Sequence, residues 1–311
     1  MAVSAAFGRD LELCFQRIER IVAQARARGA KLVVFPESTL GGYLYEPHVA
    51  GAPLPCSAPP ALRRDGEEIA RLVRIAGDVV VCAGYTEAAP GGPYTSAVCV
   101  NGDGVLGHHR KVHLPPAEVG VFRAGAGFAA FDTPLGRMGM LICYDKTFPE
   151  SARALALDGA GLIASLAAWP ICRVGPASWT RRDRQVAHFN LLDQTRALEN
   201  QVVWVSANQV GRFGRLRFPG QAKVVDPGGR VLAHTGARAG TALARVEPWA
   251  AVARTRERIS YLADRQPASY AAAPAFGTPP ADVPALAPVP VAADVPALVP
   301  VPVAADVAAA G

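Results

Sequence analysis

The sequence predicts an α/β fold built on a mixed β-sheet, and three observations carry that prediction. Short, wholly apolar runs such as LVVF (32–35), VVVCAGY (79–85) and MGMLIC (138–143) read as strands buried on both faces. Segments between them carry apolar residues at helical spacing. Turn-rich junctions, Asn101-Gly102-Asp103-Gly104 and Pro227-Gly228-Gly229, read as hairpins, so antiparallel pairs must sit beside the parallel ones.

The elements follow in order. Leu11, Phe15, Ile18, Val22 and Ala25 define one face of a helix from Asp10 to Arg28, and Gly29 stops it. LVVF comes next and Pro36 ends it, leaving Glu37 just beyond a buried strand end, a position where active-site groups collect. SAVCV (96–100) turns at Asn101–Gly104 and returns as VLGHHRKV, which carries Lys111. MGMLIC ends on Cys143, and Pro149-Glu150 opens a helix through Ala156. Strand, short loop and helix in that order form a geometry that exposes a nucleophile. GLIASLA, a long helix near 180–199, VVWVSAN, a QAKVVD/RVLAH hairpin and TALARVE complete the alternation.

Composition narrows the function classes. The chain has 311 residues, 50% of them hydrophobic, enough for a large core. Its formal charge of +6 comes from 32 basic and 26 acidic residues scattered singly or in short runs, so no nucleic-acid partner is expected. The N-terminal MAVSAAFGRDLEL lacks a basic region followed by an apolar stretch, so no secretory signal is expected. No charge-free apolar run reaches the ~18 residues of a membrane span. Six cysteines at 14, 56, 82, 99, 143 and 172 form no C-x-x-C pair and read as reduced thiols of a cytoplasmic protein. After about Gln266 the composition changes: ADVPALAPVPVA (281–292) repeats as ADVPALVPVPVA (293–304), and its prolines deny it a hydrogen-bonded ladder. The expected organisation is one catalytic domain over 1–265 and a disordered or polyproline-like tail over 266–311.

Three segments stand out together: VVFPESTLGGY around Glu37, HHRKVHLPPAE around Lys111, and GMLICYDKTFPESAR around Cys143. With RALEN (196–200), SAN (206–208) and GQAKVVDPGG (220–229), they resemble the nitrilase, or carbon–nitrogen hydrolase, superfamily in its amidase/carbamoylase-like branch. The resemblance covers about residues 3–250. It implies a four-layer α-β-β-α sandwich, a homodimer or larger even homo-oligomer paired through helices, and neither metal nor cofactor. It also implies a Glu37-Lys111-Cys143 triad, supported by Glu118.

The chemistry of amide hydrolysis fits those residue types. Cys143 would attack, Glu37 would take the thiol proton and deliver it to the departing nitrogen, and Lys111 with the backbone N–H of Tyr144 would hold the oxyanion. Lys111 and a following helix are expected to lower the thiol below its ordinary ~8.5. Tyr43, Trp169 and Tyr144 are candidate walls of the substrate pocket. Asp145, Phe148, Glu150, Arg153, Glu199 and Asn200 read as scaffold around the nucleophile turn. His108, His109 and His113 invite a metal, but no Cys or carboxylate accompanies them at ligand spacing.

Within the superfamily, Tyr144-Asp145 after the cysteine favours a small linear amide. An N-carbamoyl amino acid or amine comes second, because Lys146 and Thr147 stand where carbamoyl hydrolases carry arginine for the substrate carboxylate. A nitrile comes third. The alternative outside enzymology is an idle binding protein with a docking tail. The chain departs from the family in its short VSAAF first strand, in Cys14 and in Ala222.

Overall fold

The computed structural model describes residues 1–44, 58–173 and 175–270. Cys56 and the 281–304 repeat therefore lie outside the described residues. The first compact unit spans Met1–Arg265. It contains β1 (Ala2–Ala5), α1 (Leu11–Ala27), β2 (Leu32–Val34), β3 (Ala61–Leu62), α2 (Glu67–Ala76), β4 (Val80–Ala89), β5 (Gly92–Asn101) and β6 (Gly104–Arg110). Then come β7 (Phe131–Thr133), β8 (Gly136–Ile142), α3 (Pro149–Leu157), β9 (Leu162–Ala167), α4 (Arg184–Asn200) and β10 (Val203–Phe213). It ends with β11 (Leu216–Pro219), β12 (Lys223–Val225), β13 (Val231–His234), β14 (Gly240–Ala242) and α5 (Pro248–Arg256). The second unit spans Gln266–Gly311, and a short helix, α6 (Pro267–Tyr270), is its described element.

The main sheet runs β6-β5-β4-β2-β1-β10-β9-β8-β7. Pairings from β4 through β8 along this path are parallel, and the margins β4-β5-β6 and β7-β8 are antiparallel. β1 joins the two halves through the Ser4–Asn208 and Ala5–Gln209 pairs with β10. The sheet folds on itself there, so that one leaf (β2, β4, β5) faces the other (β8, β9, β10). Leu32, Val34, Val80 and Cys82 of the first leaf meet Met140, Ile142, Ala164 and Val205 of the second in one apolar layer.

The outer faces are covered by helices. α1 and α2 pack Phe15, Ile18, Ile69 and Leu72 on Val33, Val81 and Val98, while α3 and α4 bring Ala152, Leu155 and Ala197 to Leu141, Ile163 and Trp204. The result is the four-layer α-β-β-α arrangement, with the parallel strands doubly buried as their uninterrupted apolar runs require.

Local signals explain the boundaries. The Asp10 carboxylate caps α1 by accepting the Leu13 N–H at 3.1 Å, and Gly29 takes φ +72° just past its end. Cys14 lies in the core face of α1, so the departure there costs no polar contact. The short β1 is not loosened: all four residues are buried and it pairs with β2, β10 and β14. Ala222 is likewise buried in the layer between the leaves. The expected helix near 180–199 begins instead at Arg184, because the Asp183 side chain accepts the Gln185 N–H and starts it there. Among the described residues no helix is long and apolar enough to cross a membrane.

Candidate active site

Glu37, Lys111, Glu118 and Cys143 come from four chain segments and meet where the two leaves end. Glu37 sits beyond β2 with none of its surface exposed. Its Oε1 accepts from Lys111 Nζ at 2.8 Å, and its Oε2 accepts from the Ala168 N–H, beyond β9 of the other leaf, at 2.8 Å. Gln209 Nε2 donates to the Glu37 carbonyl at 3.1 Å. Gly84 of β4 is required by close approach: a Cβ there would fall 2.8 Å from Glu37 Cα.

Lys111 follows β6 and is fully buried, donating also to Glu118 Oε1 at 2.6 Å. Burial works against its charge, but the carboxylates of Glu118 and Glu37 outweigh burial and hold its pKa above the ordinary lysine value. Glu118 accepts a further hydrogen bond from the Tyr43 hydroxyl. Burial pushes its carboxyl up to about 7 against the pull of Lys111, with Glu37 adding to the rise.

Cys143 directly follows β8 and opens a single 3₁₀ turn, Cys143–Thr147, ahead of α3. It takes φ +49°, a left-handed conformation costly for a residue with a Cβ, so the turn is strained at the thiol. The lowered thiol expected from the sequence is corrected here. Burial raises the Cys143 pKa well above the ordinary value, the Glu37 charge raises it further, and Lys111 opposes only in part. The thiol is therefore protonated at rest.

Asp145 ties this turn to the lysine segment. Its carboxylate accepts the backbone N–H groups of Ile142 at 3.1 Å, Val112 at 3.2 Å and His113 at 2.9 Å. It also meets a ring nitrogen of His109 and of His113, each at 3.0 Å. Burial would raise the carboxyl, but the bonds from His109 and His113 hold it below the usual carboxylate range. Phe148 stacks on His113 with centroids 3.7 Å apart. These histidines thus serve the turn, and among the described residues no group of three or more His, Cys, Asp or Glu is arranged to hold a metal ion. On the scaffold side, Arg196 Nη1 pairs with Glu199 at 2.7 Å, Arg153 donates to the Glu199 carbonyl at 2.7 Å, and Asn200 Nδ2 donates to the Arg196 carbonyl at 2.9 Å.

Lys146, which stands where carbamoyl hydrolases carry arginine, does not line the cavity above Cys143. It is fully buried, with Nζ donating to Asp193 Oδ1 of α4 at 2.8 Å and lying 3.2 Å from the centre of the Phe189 ring. Lys223 of β12 donates to Asp193 Oδ2 at 2.6 Å, and Trp204 Nε1 to Oδ1 at 3.0 Å. Arg196 adds bonds to the Lys146 and Thr147 carbonyls at 2.9 and 3.0 Å. α4 thereby clamps the nucleophile turn from behind. Sequence reasoning missed this cluster, since nothing local to Lys146 marks a partner 47 residues away.

Burial lowers the Lys146 pKa to about 8, with Asp193 opposing and Lys223 adding to the fall. A lysine depressed on folding binds fewer protons in the folded state, so its contribution to stability rises with pH from about 8 towards the ordinary 10.5. Denaturant midpoints of the wild type, compared with Lys146→Met across that range, should show the wild type gaining stability on the variant as pH rises. A flat difference would mean that folded Lys146 keeps its proton across that range and that burial does not lower its pKa.

A cavity of about 400 Å³ opens above Cys143. Tyr43, Tyr144 and Trp169, the expected aromatic walls, all line it. Trp169 is held by Asn208 of the SAN segment, which accepts its backbone N–H at 2.8 Å and donates to its carbonyl at 3.2 Å. Arg173 and Gln185 line the same cavity and carry no sequence signal of their own.

A buried thiol on a strained turn, beside a carboxylate–lysine pair and beneath a small cavity, has the parts of a thiol-dependent hydrolase. The chain belongs to the carbon–nitrogen hydrolase family, whose profile matches residues 4–255. It is a hydrolase acting on carbon–nitrogen bonds. Over 221 residues it is 35% identical to a nitrilase of Pyrococcus abyssi, covering 70% of this chain and 77% of the relative. Over 231 residues it is 34% identical to an (R)-stereoselective amidase of Pseudomonas sp., covering 74% and 78%. The solved amidase of Nesterenkonia sp. aligns with a TM-score of 0.67 at 25% identity, covering 87% of this chain and 93% of that one.

Proposed function

We propose that this chain hydrolyses a small linear amide to a carboxylic acid and ammonia through a thioester on Cys143. The observation that carries the reading is the buried Glu37–Lys111 pair, 2.8 Å apart, whose charges both act on the Cys143 thiol, which lines the cavity. Because the thiol is protonated at rest, Glu37 takes its proton as Sγ attacks the carbonyl carbon. Lys111 and the Tyr144 N–H stabilise the oxyanion. Collapse of the tetrahedral adduct transfers the proton from Glu37 to the leaving nitrogen and releases ammonia. Glu37 then activates water against the thioester, freeing the acid and regenerating the thiol. Glu118 holds Lys111 charged and aimed, and Tyr43 and Trp169 bound the acyl portion of the substrate.

Assaying ammonia from primary amides, N-carbamoyl amino acids and nitriles, with the acyl adduct on Cys143 sought by mass spectrometry, tests this. Primary amides should be the best substrates and the adduct should carry the acyl mass. Nitriles alone being turned over would overturn the reading.

In the same proposal, residues 1–265 form the catalytic body of a cytoplasmic homo-oligomer and 266–311 are dispensable for turnover. Truncation after Arg265 should leave kcat and KM within about twofold of the full chain. Loss of turnover in a folded truncation would assign the tail a catalytic task.

A further inference from the structure

The cavity above Cys143 is apolar along most of its wall, through Pro115, Pro116, Ile171 and Leu216. Among the described residues that line it, Arg173 is the single charged side chain, and none carries a carboxylate. Glu37 and Glu118 lie behind the floor, fully buried and bonded to Lys111. Whereas Cys143 is buried, Arg173 is the exposed charged residue of the lining. The backbone beside it is fixed. The Cys172 N–H donates to both oxygens of buried Asp183, at 3.1 and 3.2 Å, and the Ile171 N–H donates to the Arg217 carbonyl at 2.9 Å. The nearby Asp183 carboxylate is thus turned to backbone N–H groups, including that of Gln185 at 2.9 Å, and forms no ion pair with Arg173.

A chain entering this cavity meets an apolar passage with the nucleophile at one end and a positive charge at the other. An ammonium at the substrate's far end would face a like charge, with no carboxylate among the described lining residues to receive it. A carboxylate there would find a guanidinium of matching planar, two-point geometry. Resting on the amidase reading above, we propose that Arg173 is the specificity-determining residue and that the substrate is an amide bearing a carboxylate remote from the scissile bond. Gln185, an uncharged amide on the same wall, supplies a further hydrogen bond to that end.

Three amides of similar length test the assignment: glutaramate, which ends in a carboxylate, pentanamide, which ends in a methyl group, and 5-aminopentanamide, which ends in an ammonium. For the wild type, kcat/KM should be highest for glutaramate and lowest for 5-aminopentanamide. A charge-assisted contact predicts a preference of about 10- to 100-fold for glutaramate over pentanamide. Arg173→Gln should reduce that ratio at least tenfold through KM, and Arg173→Lys should restore part of it. Titrating Cys143→Ala with the same compounds reads the preference without turnover. If the wild type hydrolyses none of the three while that titration retains the order, the amidase reading fails and Arg173 keeps its role. Equal binding of the three compounds, or a ratio unmoved by Arg173→Gln, would overturn the role of Arg173 and leave the amidase reading intact.

Discussion

Cys143→Ala will lower ammonia release by roughly 10⁴- to 10⁶-fold while the protein stays folded, because the variant lacks the proposed nucleophile. Alanine also removes the Cys143 thiol without leaving any polar group unpaired. At φ +49° it tolerates the turn no worse than cysteine does, so the melting temperature should stay within a few degrees of wild type. Glu37→Gln should be nearly as damaging, since the amide occupies the same space but accepts no proton. Turnover by Cys143→Ala within tenfold of wild type would sink the covalent mechanism. Activity loss with a collapsed melting curve would be a folding effect, so the two measurements must be made together.

Asp193→Ala carries the largest expected cost to stability. It leaves Lys146 and Lys223 buried without their shared carboxylate, and Trp204 Nε1 without its acceptor. Breaking a buried ion cluster by removing one member costs about 3–5 kcal/mol, which for a domain of this size lowers the melting temperature by roughly 6–20 °C. A triple variant, Lys146→Met, Asp193→Leu and Lys223→Met, should recover most of that loss, because apolar residues of similar size need no counter-charge. Thermal melts of the two variants beside wild type decide the matter. A drop below about 1 kcal/mol for Asp193→Ala would mean that the lysines reach water or lose their protons at little cost.

The parts of the fold that were legible in the sequence are those with a strong period or an uninterrupted apolar run. β2, β4 and β8 announce themselves because both faces of each are buried. α1 does so through one apolar stripe bounded by Asp10 and Gly29. α2 was not among the expected elements, although Gly66 opens it and Ile69, Leu72 and Ala76 bury one face at helical spacing. Strands of two to four residues, such as β3, β7 and β11, carry too few positions for any period to register.

The site divides in the same way. Glu37, Lys111 and Cys143, the candidate triad, were picked out from strand ends and local context. Two further features depend on residues distant in sequence: the raised thiol follows from burial and the charge of Glu37, and the occupation of Lys146 follows from a partner on α4. Arg173 and Gln185 flank the start of that helix in a segment with no regular spacing, so only their placement on the cavity wall distinguishes them.

The folded-over sheet has one more consequence. Glu37 and Lys111 belong to one leaf and Cys143 and Ala168 to the other, so the proposed reaction centre exists only along the seam where the leaves meet. Neither half of the chain holds a competent set. Fragments divided in the 124–130 connection should therefore be inert apart and regain turnover on re-association, making catalysis itself a gauge of how closely the halves are docked.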